Sequence, residues 1–268
     1  MEIDKICLHK ASVDIWRGMI WVHPKPDAAS INKWFDGCWE HLGPHNPGRL
    51  IEYPDTIYEK IIHANWKIVA ENFMDVYHLS HLHSNTLQMY DHAKAKYGFV
   101  GDHYLFYEPL VEKYLKNLDK LIPTKRIQEM TDEYIGAYVP WLFPNLGLSE
   151  GEASWSTFHT IPLAPDKTKV IVRSKLEPMT DWEYTKQGIK SSASWHGIMG
   201  GETKYGNSAP NDPMATGDFM EEDVFACEQQ QKSLKNPLFS VVATAKKGES
   251  TVRTFQGIVK RWMKDSGL

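Results

Sequence analysis

The sequence predicts an α+β domain in which antiparallel strands predominate and a few long helices pack against them. Runs of aromatic and β-branched residues, separated by Pro, Asn, Gly and Asp, fill the middle of the chain, as in successive antiparallel strands. Two stretches with helical periodicity close the chain. The 268 residues are 42% hydrophobic and include ten tryptophans, enough to bury one large core. We therefore expect a single domain over residues 1–268.

The expected elements follow one another without an internal repeat or a strong linker. In the first half of the chain they are two short strands or one bent strand at 13–23, a helix from the N-cap Asp27 to Gly43, strands at 49–63, a helix at 66–79, a loop at 91–101, a strand at 104–110 and a short helix at 112–121. In the second half they are strands at 134–148, 153–163 and 168–176 and helices at 218–234 and 251–264. The segment 191–217 is crowded with Gly, Ser, Asn and Pro and is too long for a simple connection, so we expect a functional lid or disorder.

Charge and composition argue against several functional classes. The formal net charge is −4, and Lys and Arg nowhere cluster beyond a pair, which argues against a nucleic-acid or polybasic membrane-binding surface. No apolar run approaches the roughly 18 residues of a membrane span, and the N-terminus lacks the layout of a signal peptide, so we expect a cytoplasmic protein. The three cysteines, Cys7, Cys38 and Cys227, lie far apart and suggest neither disulfides nor a zinc knuckle.

The helix expected at 66–79 carries a polar stripe. Its apolar residues cover most of the circumference, which is typical of a buried helix. Glu71, Asp75 and His78 nevertheless lie at i, i+4 and i+7, with Asn72 beside them, and so share one face. Buried charge that is neither paired nor coordinated costs on the order of several kcal/mol. We expect a polar or metallic partner to face this stripe.

Three histidines follow closely at the end of this helix. His83 comes five residues after His78, so it joins the same site only if the helix ends or loosens near Leu79. His81, three residues after His78, shares the helical face and is the competing ligand. Imidazole nitrogen and carboxylate oxygen are ligands for Fe(II), Mn(II) or Zn(II). The spacing leaves open a metal site with either histidine, and also ordinary histidines hydrogen-bonded to their neighbours.

The helix expected at 218–234 offers a carboxylate. Asp223 has only apolar residues at i−4, i−3, i+3 and i+4, whereas Glu221 and Glu222 each have a polar or glycine neighbour in those places. A carboxylate in an apolar setting pairs with a cation, which is either Lys or Arg or a metal ion. Two histidines and one carboxylate form the facial triad of non-haem Fe(II) oxygenases, which leaves coordination positions open.

A longer motif extends across this region and beyond it. It resembles the signature of the catalytic domain of Rieske-type ring-hydroxylating oxygenase α subunits. The matching residues are Asn65-Trp66-Lys67, Glu71-Asn72, Asp75, Tyr77-His78, His83, Phe143-Pro144-Asn145, the strands around Pro162, and Asp223, Glu228 and Gln231. The resemblance implies a helix-grip, START-like (SRPBCC-like) fold, in which a twisted antiparallel sheet wraps around long helices. It also implies a homo-oligomer, a trimer.

The same resemblance implies the roles of particular residues. It implies that His78, His83 and Asp223 hold a mononuclear Fe(II), and that Asn72 is a polar residue near the iron. Asp75 matches the carboxylate that links an iron-bound histidine to a cluster ligand of a neighbouring subunit. The implied activity is hydroxylation or dihydroxylation of a small organic substrate, aromatic or amine, with O2. A Rieske protein, or a reductase or ferredoxin, would supply the electrons.

The family's α subunits also carry an N-terminal Rieske domain, whose [2Fe–2S] cluster is bound by C-x-H and C-x-x-H motifs. Cys7-Leu8-His9 fits the first motif, and we interpret it as a chance match because it lies just before the strands that, in the family, follow the cluster domain. We therefore expect the Rieske domain to be absent from this chain. The cluster would then be supplied in trans or by a missing N-terminal domain.

Two other functions stay open on the sequence. A small-molecule-binding protein with the same helix-grip fold and a vestigial metal site would share these features. A zinc hydrolase would need a general base, for which Glu71 is the candidate, although the chain has no HExxH motif. Several residues are expected to line an apolar cavity for the ligand, namely Leu87, Met89, Tyr90, Tyr97, Phe99, Tyr138 and Trp141.

Overall fold

The structure, a computed structural model, describes residues 8–84, 86–122, 124–187, 213–215, 218–241 and 249–266. Most of the segment 191–217, expected to be a lid or disordered, lies outside the described residues, and its described part, Pro213–Ala215, is one 3-10 turn. No helix in these ranges combines the length and the apolar composition that a membrane span requires.

A two-stranded antiparallel sheet forms the N-terminal end of the described chain. Strands β1 (Ser12–Trp16) and β2 (Met19–His23) are joined by Arg17 and Gly18, whose φ angles are 47° and 78°. Positive φ at both central positions is typical of the type I′ turn, which matches the twist of the flanking strands. The expectation of two short strands is confirmed.

The main sheet has eight strands among the described residues, and every pair in it is antiparallel. The strands are β3 (Ile51–Ile62), β4 (Lys96–Val100), β5 (His103–Glu108), β6 (Ala137–Tyr138), β7 (Trp141–Leu142), β8 (Leu146–Glu150), β9 (Trp155–Ala164) and β10 (Lys167–Leu176). Their order is β3-β10-β9-β8-β6-β5-β4, and the short β7 pairs with β5 and β8. The strands expected at 49–63, 104–110, 153–163 and 168–176 are confirmed, and the run 134–148 divides into β6, β7 and the start of β8.

The prediction of a loop at 91–101 is wrong for its second half, which forms strand β4. β4 pairs with β5 along its whole length, from Lys96 opposite Tyr107 to Val100 opposite His103. β4 is an edge strand with Gly98 at its centre, and neither glycine nor lysine has a high strand propensity. The hydrogen-bond ladder with β5, which begins three residues after the end of β4, therefore determines its conformation.

The described helices are α1 (Ile31–Phe35), α2 (Trp66–Met74), α3 (Tyr77–Leu82), α4 (Glu112–Leu115), α5 (Leu118–Leu121), α6 (181–187), α7 (Phe219–Leu234) and α8 (Ser250–Asp265). The two helices expected at 218–234 and 251–264 are confirmed as α7 and α8. The single helix expected at 112–121 is wrong, because it is divided into α4 and α5.

The first helix is shorter than the sequence suggests. α1 ends at Phe35 because Asp36 and Gly37 adopt the left-handed conformation, with φ of 49° and 84°. A left-handed residue after the last helical turn is a common helix stop. The expected N-cap Asp27 is wrong, because α1 begins only after Ser30.

The helix expected at 66–79 is interrupted. Asp75 follows α2 with φ −86° and ψ 99°, an extended conformation, and its Oδ1 accepts a hydrogen bond of 2.9 Å from the backbone N of Tyr77. A side-chain oxygen that accepts from the backbone two residues on is an Asx turn, which competes with the helix. The break therefore lies at Asp75 rather than near Leu79.

The long helices pack together on the main sheet. Ile68 of α2 and Cys227 of α7 are buried in one cluster with Phe158 of β9. Phe255 of α8 is buried in another with Met74 of α2. This packing leaves a cavity of about 430 Å³ between the sheet and the helices α2, α3 and α7. The fold is thus α+β, with a large antiparallel sheet and few long helices, as expected.

Candidate metal centre

Three side chains from two distant parts of the chain meet at the cavity wall. His78 lies on α3, His83 directly follows α3, and Asp223 lies on α7. The Nε2 atoms of His78 and His83 are 3.6 Å and 2.9 Å from Asp223 Oδ1. Among the described residues this is the one group of three His, Cys, Asp or Glu whose ligand atoms all lie within 4.8 Å of one another.

The end of α3 brings the second histidine back to the first. On a regular helix His78 and His83 would lie about 140° apart around the axis. The carbonyl oxygen of His83 instead accepts hydrogen bonds from the backbone N atoms of Thr86 and Leu87, at 3.2 Å and 3.0 Å, so the chain turns there. The two imidazole rings lie with their centroids 5.0 Å apart and their planes at 74°. Both rings therefore present Nε2 to the same carboxylate.

The other nitrogen of each imidazole is also held. His78 Nδ1 donates to the backbone carbonyl of Asp75, and His83 Nδ1 donates to Glu222 Oε2 at 2.7 Å. The same Glu222 oxygen accepts a hydrogen bond of 2.7 Å from Thr86 Oγ1. A metal-binding histidine commonly donates its second N–H to a carbonyl or a carboxylate, which fixes its tautomer and orientation. Both Nε2 lone pairs are thus available to a cation beside Asp223.

The chemistry of these donors fits a mononuclear non-haem iron. Two imidazole nitrogens and one carboxylate oxygen form the ligand set of Fe(II) sites that keep open positions, although the same donors also bind Zn(II). No thiolate competes at this point, because burial and the nearby Asp223 raise the pKa of the Cys227 thiol well above its usual value. The residues present therefore satisfy the requirements of the iron that the family signature implies.

The electrostatics of the cluster favour positive charge on His83 but not on His78. Burial lowers the pKa of His78, and the carboxylate of Asp223 offsets this only in part. Burial also acts on His83, but its hydrogen bonds with Asp223 and Glu222 outweigh that effect and raise the pKa of His83 to about 9. The two carboxylates of α7 thus attract either a proton or a metal ion to His83.

Glu222 is a partner of the candidate metal centre that the sequence analysis does not predict. It was set aside because Asp218 is one of its helical neighbours, yet its side chain is only 1% exposed and binds His83. Its other three neighbours at helical spacing, Phe219, Phe225 and Ala226, are all apolar. These apolar neighbours, at a position directly beside Asp223, are the sequence pattern from which the burial of Glu222 could have been predicted.

His81 does not join the cluster. Its ring is exposed and stacks on Tyr77, with centroids 4.4 Å apart, and its Nδ1 donates to the backbone carbonyl of Tyr77 at 3.0 Å. Of the two candidate histidines, the structure places His83 beside His78 and Asp223.

The residues of the expected polar stripe lie in two different environments. Asn72 and Asp75 line the cavity together with His78. Glu71 is not among the described cavity residues, and its Oε1 accepts a hydrogen bond of 2.9 Å from Gln256 of α8. Burial raises the pKa of Glu71, as expected for a carboxyl group between helices. The prediction of a single polar stripe along one helix is therefore wrong, because α2 ends before Asp75.

Most of the residues that line the cavity are not the ones predicted from the sequence. Of the seven expected lining residues, Leu87 and Tyr90 contribute to its wall. The other five are not among its described lining residues; Trp141, for instance, is fully buried against Phe73 in the core. The sheet side of the wall comes from inward-facing residues of β3, β5, β6, β8, β9 and β10, and the other side comes from α2, α3 and α7. Alternation along the strands, rather than aromatic content, selects the cavity residues.

Two further residues have the spacing of a cluster motif, C-x-x-H. They are Cys38 and His41, and they lie in a 3-10 turn after α1. Cys38 is fully buried beside Phe35 and Leu42, and burial raises the pKa of its thiol to about 12, whereas His41 is exposed. A buried, protonated thiol packed among apolar side chains is part of the core rather than a cluster ligand. Cys7 lies outside the described residues.

The family model of the ring-hydroxylating alpha subunit, catalytic domain, matches residues 45–265. The chain belongs to this family. A curated relative is the chloroplastic choline monooxygenase of Atriplex hortensis, 21% identical over 248 residues, which are 88% of this chain and 47% of the relative. The enzyme of the same name from Amaranthus tricolor is 21% identical over 217 residues, 77% of this chain and 39% of the relative. The chain thus spans about half the length, or less, of these relatives.

Solved structures of Rieske oxygenases have a similar fold. One is the quaternary ammonium Rieske monooxygenase CntA, with a TM-score of 0.64, 16% identity, and coverage of 94% of this chain and 62% of that chain. Another is naphthalene 1,2-dioxygenase from Rhodococcus sp., with a TM-score of 0.57, 15% identity, and coverage of 94% and 65%. At these identities the likeness is one of fold, and it agrees with the family assignment of this chain as a Rieske-type oxygenase catalytic domain.

Proposed function

We propose that this ring-hydroxylating α-subunit domain binds one Fe(II) through His78, His83 and Asp223 and hydroxylates a small organic substrate with O2 and externally supplied electrons. One observation carries the proposal. The Nε2 atoms of two histidines converge on one oxygen of Asp223, a residue 140 positions away from His83 in the sequence. The proposal includes the helix-grip arrangement, a single domain over residues 1–268 and a cytoplasmic location.

An iron ion bound at this triad would supply the activation of dioxygen. The residues of the chain supply binding, orientation and exclusion of water. The backbone carbonyl of Asp75 and the carboxylate of Glu222 keep the two imidazole rings turned with Nε2 towards Asp223. Asn72 offers an amide to a polar group held in the cavity beside the triad. The mostly apolar wall formed by the sheet and by α2 excludes water and positions the substrate.

We propose that Asp75 is the point at which electrons enter. Its side chain is 33% exposed, and its Oδ2 lies 4.0 Å from His78 Nδ1. By resemblance, it would contact a histidine of a Rieske [2Fe–2S] cluster, carried by a neighbouring subunit of a homotrimer or by a separate Rieske protein that a reductase or ferredoxin reduces. The structure of CntA is described as giving insight into inter-subunit electron transfer in that protein. Without such a cluster we expect no repeated turnover.

The relatives leave the substrate open. Two are named for choline, one acts on quaternary ammonium compounds such as L-carnitine, and one is named for naphthalene. A fold shared by enzymes with such different substrates does not choose among them.

The test is anaerobic reconstitution of the purified chain with Fe(II) and measurement of its metal content. We expect about one iron per chain, abolished by His78→Ala and by Asp223→Ala. The chain should then turn over with NADH and a reductase only when a Rieske protein is added. Retention of zinc in place of iron would favour a hydrolase. Failure to bind any metal would favour a small-molecule-binding protein with a vestigial site.

A further inference from the structure

The cavity has one acidic position on the sheet, remote in sequence from the metal triad. Along β5 the side chains of Phe106 and Glu108 face inward, while Leu105 and Tyr107 alternate to the other side. Glu108 is only 2% exposed, yet it lines the cavity. A carboxylate at such a position is costly unless it has a partner of opposite charge.

The carboxylate of Glu108 has one hydrogen-bond partner in the described part of the chain. Its Oε2 accepts a hydrogen bond of 2.7 Å from His92 Nδ1, and no described group donates to Oε1. The other acidic residues of the cavity wall, Asp75 and Asp223, belong to the metal centre. No Lys or Arg is among the described residues that line the cavity. Among the described residues Glu108 thus has a histidine, but no Lys or Arg of the cavity wall, to balance its buried charge.

The surroundings of Glu108 leave room for a rounded group. Its neighbour across the sheet is Ala137, and two further lining residues, Gly151 and Ser154, lie in the turn between β8 and β9, where they are joined by a backbone hydrogen bond of 2.9 Å. The small side chains at these three positions of the cavity wall leave space for a bulky group. Bulky lining residues, such as Phe158, lie further along the same strands.

An aromatic ring completes this end of the cavity. Tyr90 lines the wall, and its hydroxyl donates to Glu152 Oε2 at 3.4 Å. Burial raises the pKa of Tyr90 well above its usual value, as do the nearby Glu152 and Glu108, so the phenol stays neutral. A neutral tyrosine ring near a carboxylate attracts a cation through its π face.

We propose that Glu108 and Tyr90 form a subsite for the positively charged group of the substrate, which makes the substrate of this domain an organic cation such as a quaternary or tertiary ammonium compound. This inference deepens the proposed function and rests on it for the reaction. A cationic group beside Glu108 would compensate the buried charge, and the apolar wall between the subsite and the triad would hold the remainder of the molecule. A neutral arene would leave His92 as the one described partner of the Glu108 carboxylate.

The test measures binding of matched pairs that differ only in charge. Choline is compared with 3,3-dimethylbutan-1-ol, and phenyltrimethylammonium with tert-butylbenzene, by calorimetry on the metal-free chain, so that iron and turnover do not enter. We expect at least one cation to bind about tenfold or more tightly than its neutral partner. Glu108→Gln should remove that preference, and Glu108→Asp, which keeps the charge, should retain most of it.

Glu59→Gln is the control for the loss of one negative charge. Glu59 lies on β3, where its carboxylate pairs with Lys169 at 2.5 Å, and it does not line the cavity. Its substitution should leave the cation preference unchanged. The proposal fails if no cation is preferred over its neutral partner, or if Glu108→Gln, with unchanged melting temperature, keeps the preference. Iron binding and oxygenation of a neutral substrate in that case would leave the proposed function standing.

Discussion

Glu222 and His83 are joined by a hydrogen bond of 2.7 Å between two side chains that are each only 1% exposed. The bond connects α7 to the end of α3 on the side of the imidazole that faces away from Asp223. It therefore fixes the direction in which His83 presents Nε2. The neighbouring carboxylates of Glu222 and Asp223 thus have different roles towards the same ring.

Replacing Glu222 should weaken metal binding without removing a ligand. Glu222→Gln keeps the size of the side chain but removes the charge that holds His83 Nδ1, so we expect the affinity for Fe(II) to fall about 10- to 100-fold. Competition with a fluorescent chelator measures this affinity. Glu221→Gln is the matched control, because Glu221 is one position away and pairs with Lys60 instead. Equal losses in the two variants would contradict the prediction.

His81 and His83 should differ in their effect on iron content. His81→Ala removes an exposed ring that stacks on Tyr77, so iron should stay at the level of the parent chain. His83→Ala removes a ring whose Nε2 lies 2.9 Å from Asp223 Oδ1, so iron should be lost. Metal analysis after anaerobic reconstitution distinguishes the two. Loss of iron from the His81 variant would show that the ligand set is wrong.

Asp75 should affect electron delivery more than metal binding. Asp75→Asn keeps an oxygen that accepts from the Tyr77 backbone N, so the break between α2 and α3 should persist. We expect unchanged iron content but at least about tenfold slower reduction of the iron by a Rieske donor, because the carboxylate near His78 Nδ1 is lost. Rapid-mixing spectroscopy gives this rate. Reduction by dithionite, which needs no docked protein, should be unaffected, and equal slowing with both reductants would refute the role.

Arg49 should make the stability of the fold sensitive to acid. Its guanidinium binds Glu129 and Glu177, and these hydrogen bonds hold the pKa of both carboxyl groups below their usual range. A depressed folded-state pKa contributes stability above the unfolded value of about 4.3, and this contribution is lost as the pH falls through the folded values. Urea unfolding of the metal-free chain between pH 7 and pH 3 should show this loss.

The acid sensitivity of the parent chain is compared with that of the Arg49→Met variant. At pH 7 this variant should be less stable by about 1–3 kcal/mol, because two partly buried carboxylates then repel each other. The difference from the parent chain should shrink as the carboxyl groups become protonated. A difference that stays constant down to pH 3 would mean that Arg49 acts through packing alone.

The sequence by itself determined the elements that a short stretch encodes. The alternating runs of β3, β5, β9 and β10 and the periodicity of α7 and α8 specify their own structure, because each buries one face at its own period. The acidic and histidine positions Asp75 and His78 in an apolar segment, and Asp223 among apolar neighbours, likewise predicted a site for a buried cation. The resemblance to the family signature then favoured His83 as the second histidine ligand, because the spacing alone did not distinguish it from His81.

Only the tertiary structure decided features that depend on distant partners. Glu222 became a partner of His83 only when α7 packed against the end of α3. Glu108 became part of the cavity wall only when the strands of the main sheet aligned their inward faces. Such contacts join residues far apart in the chain, so the local pattern that specifies a helix or a strand carries no information about them.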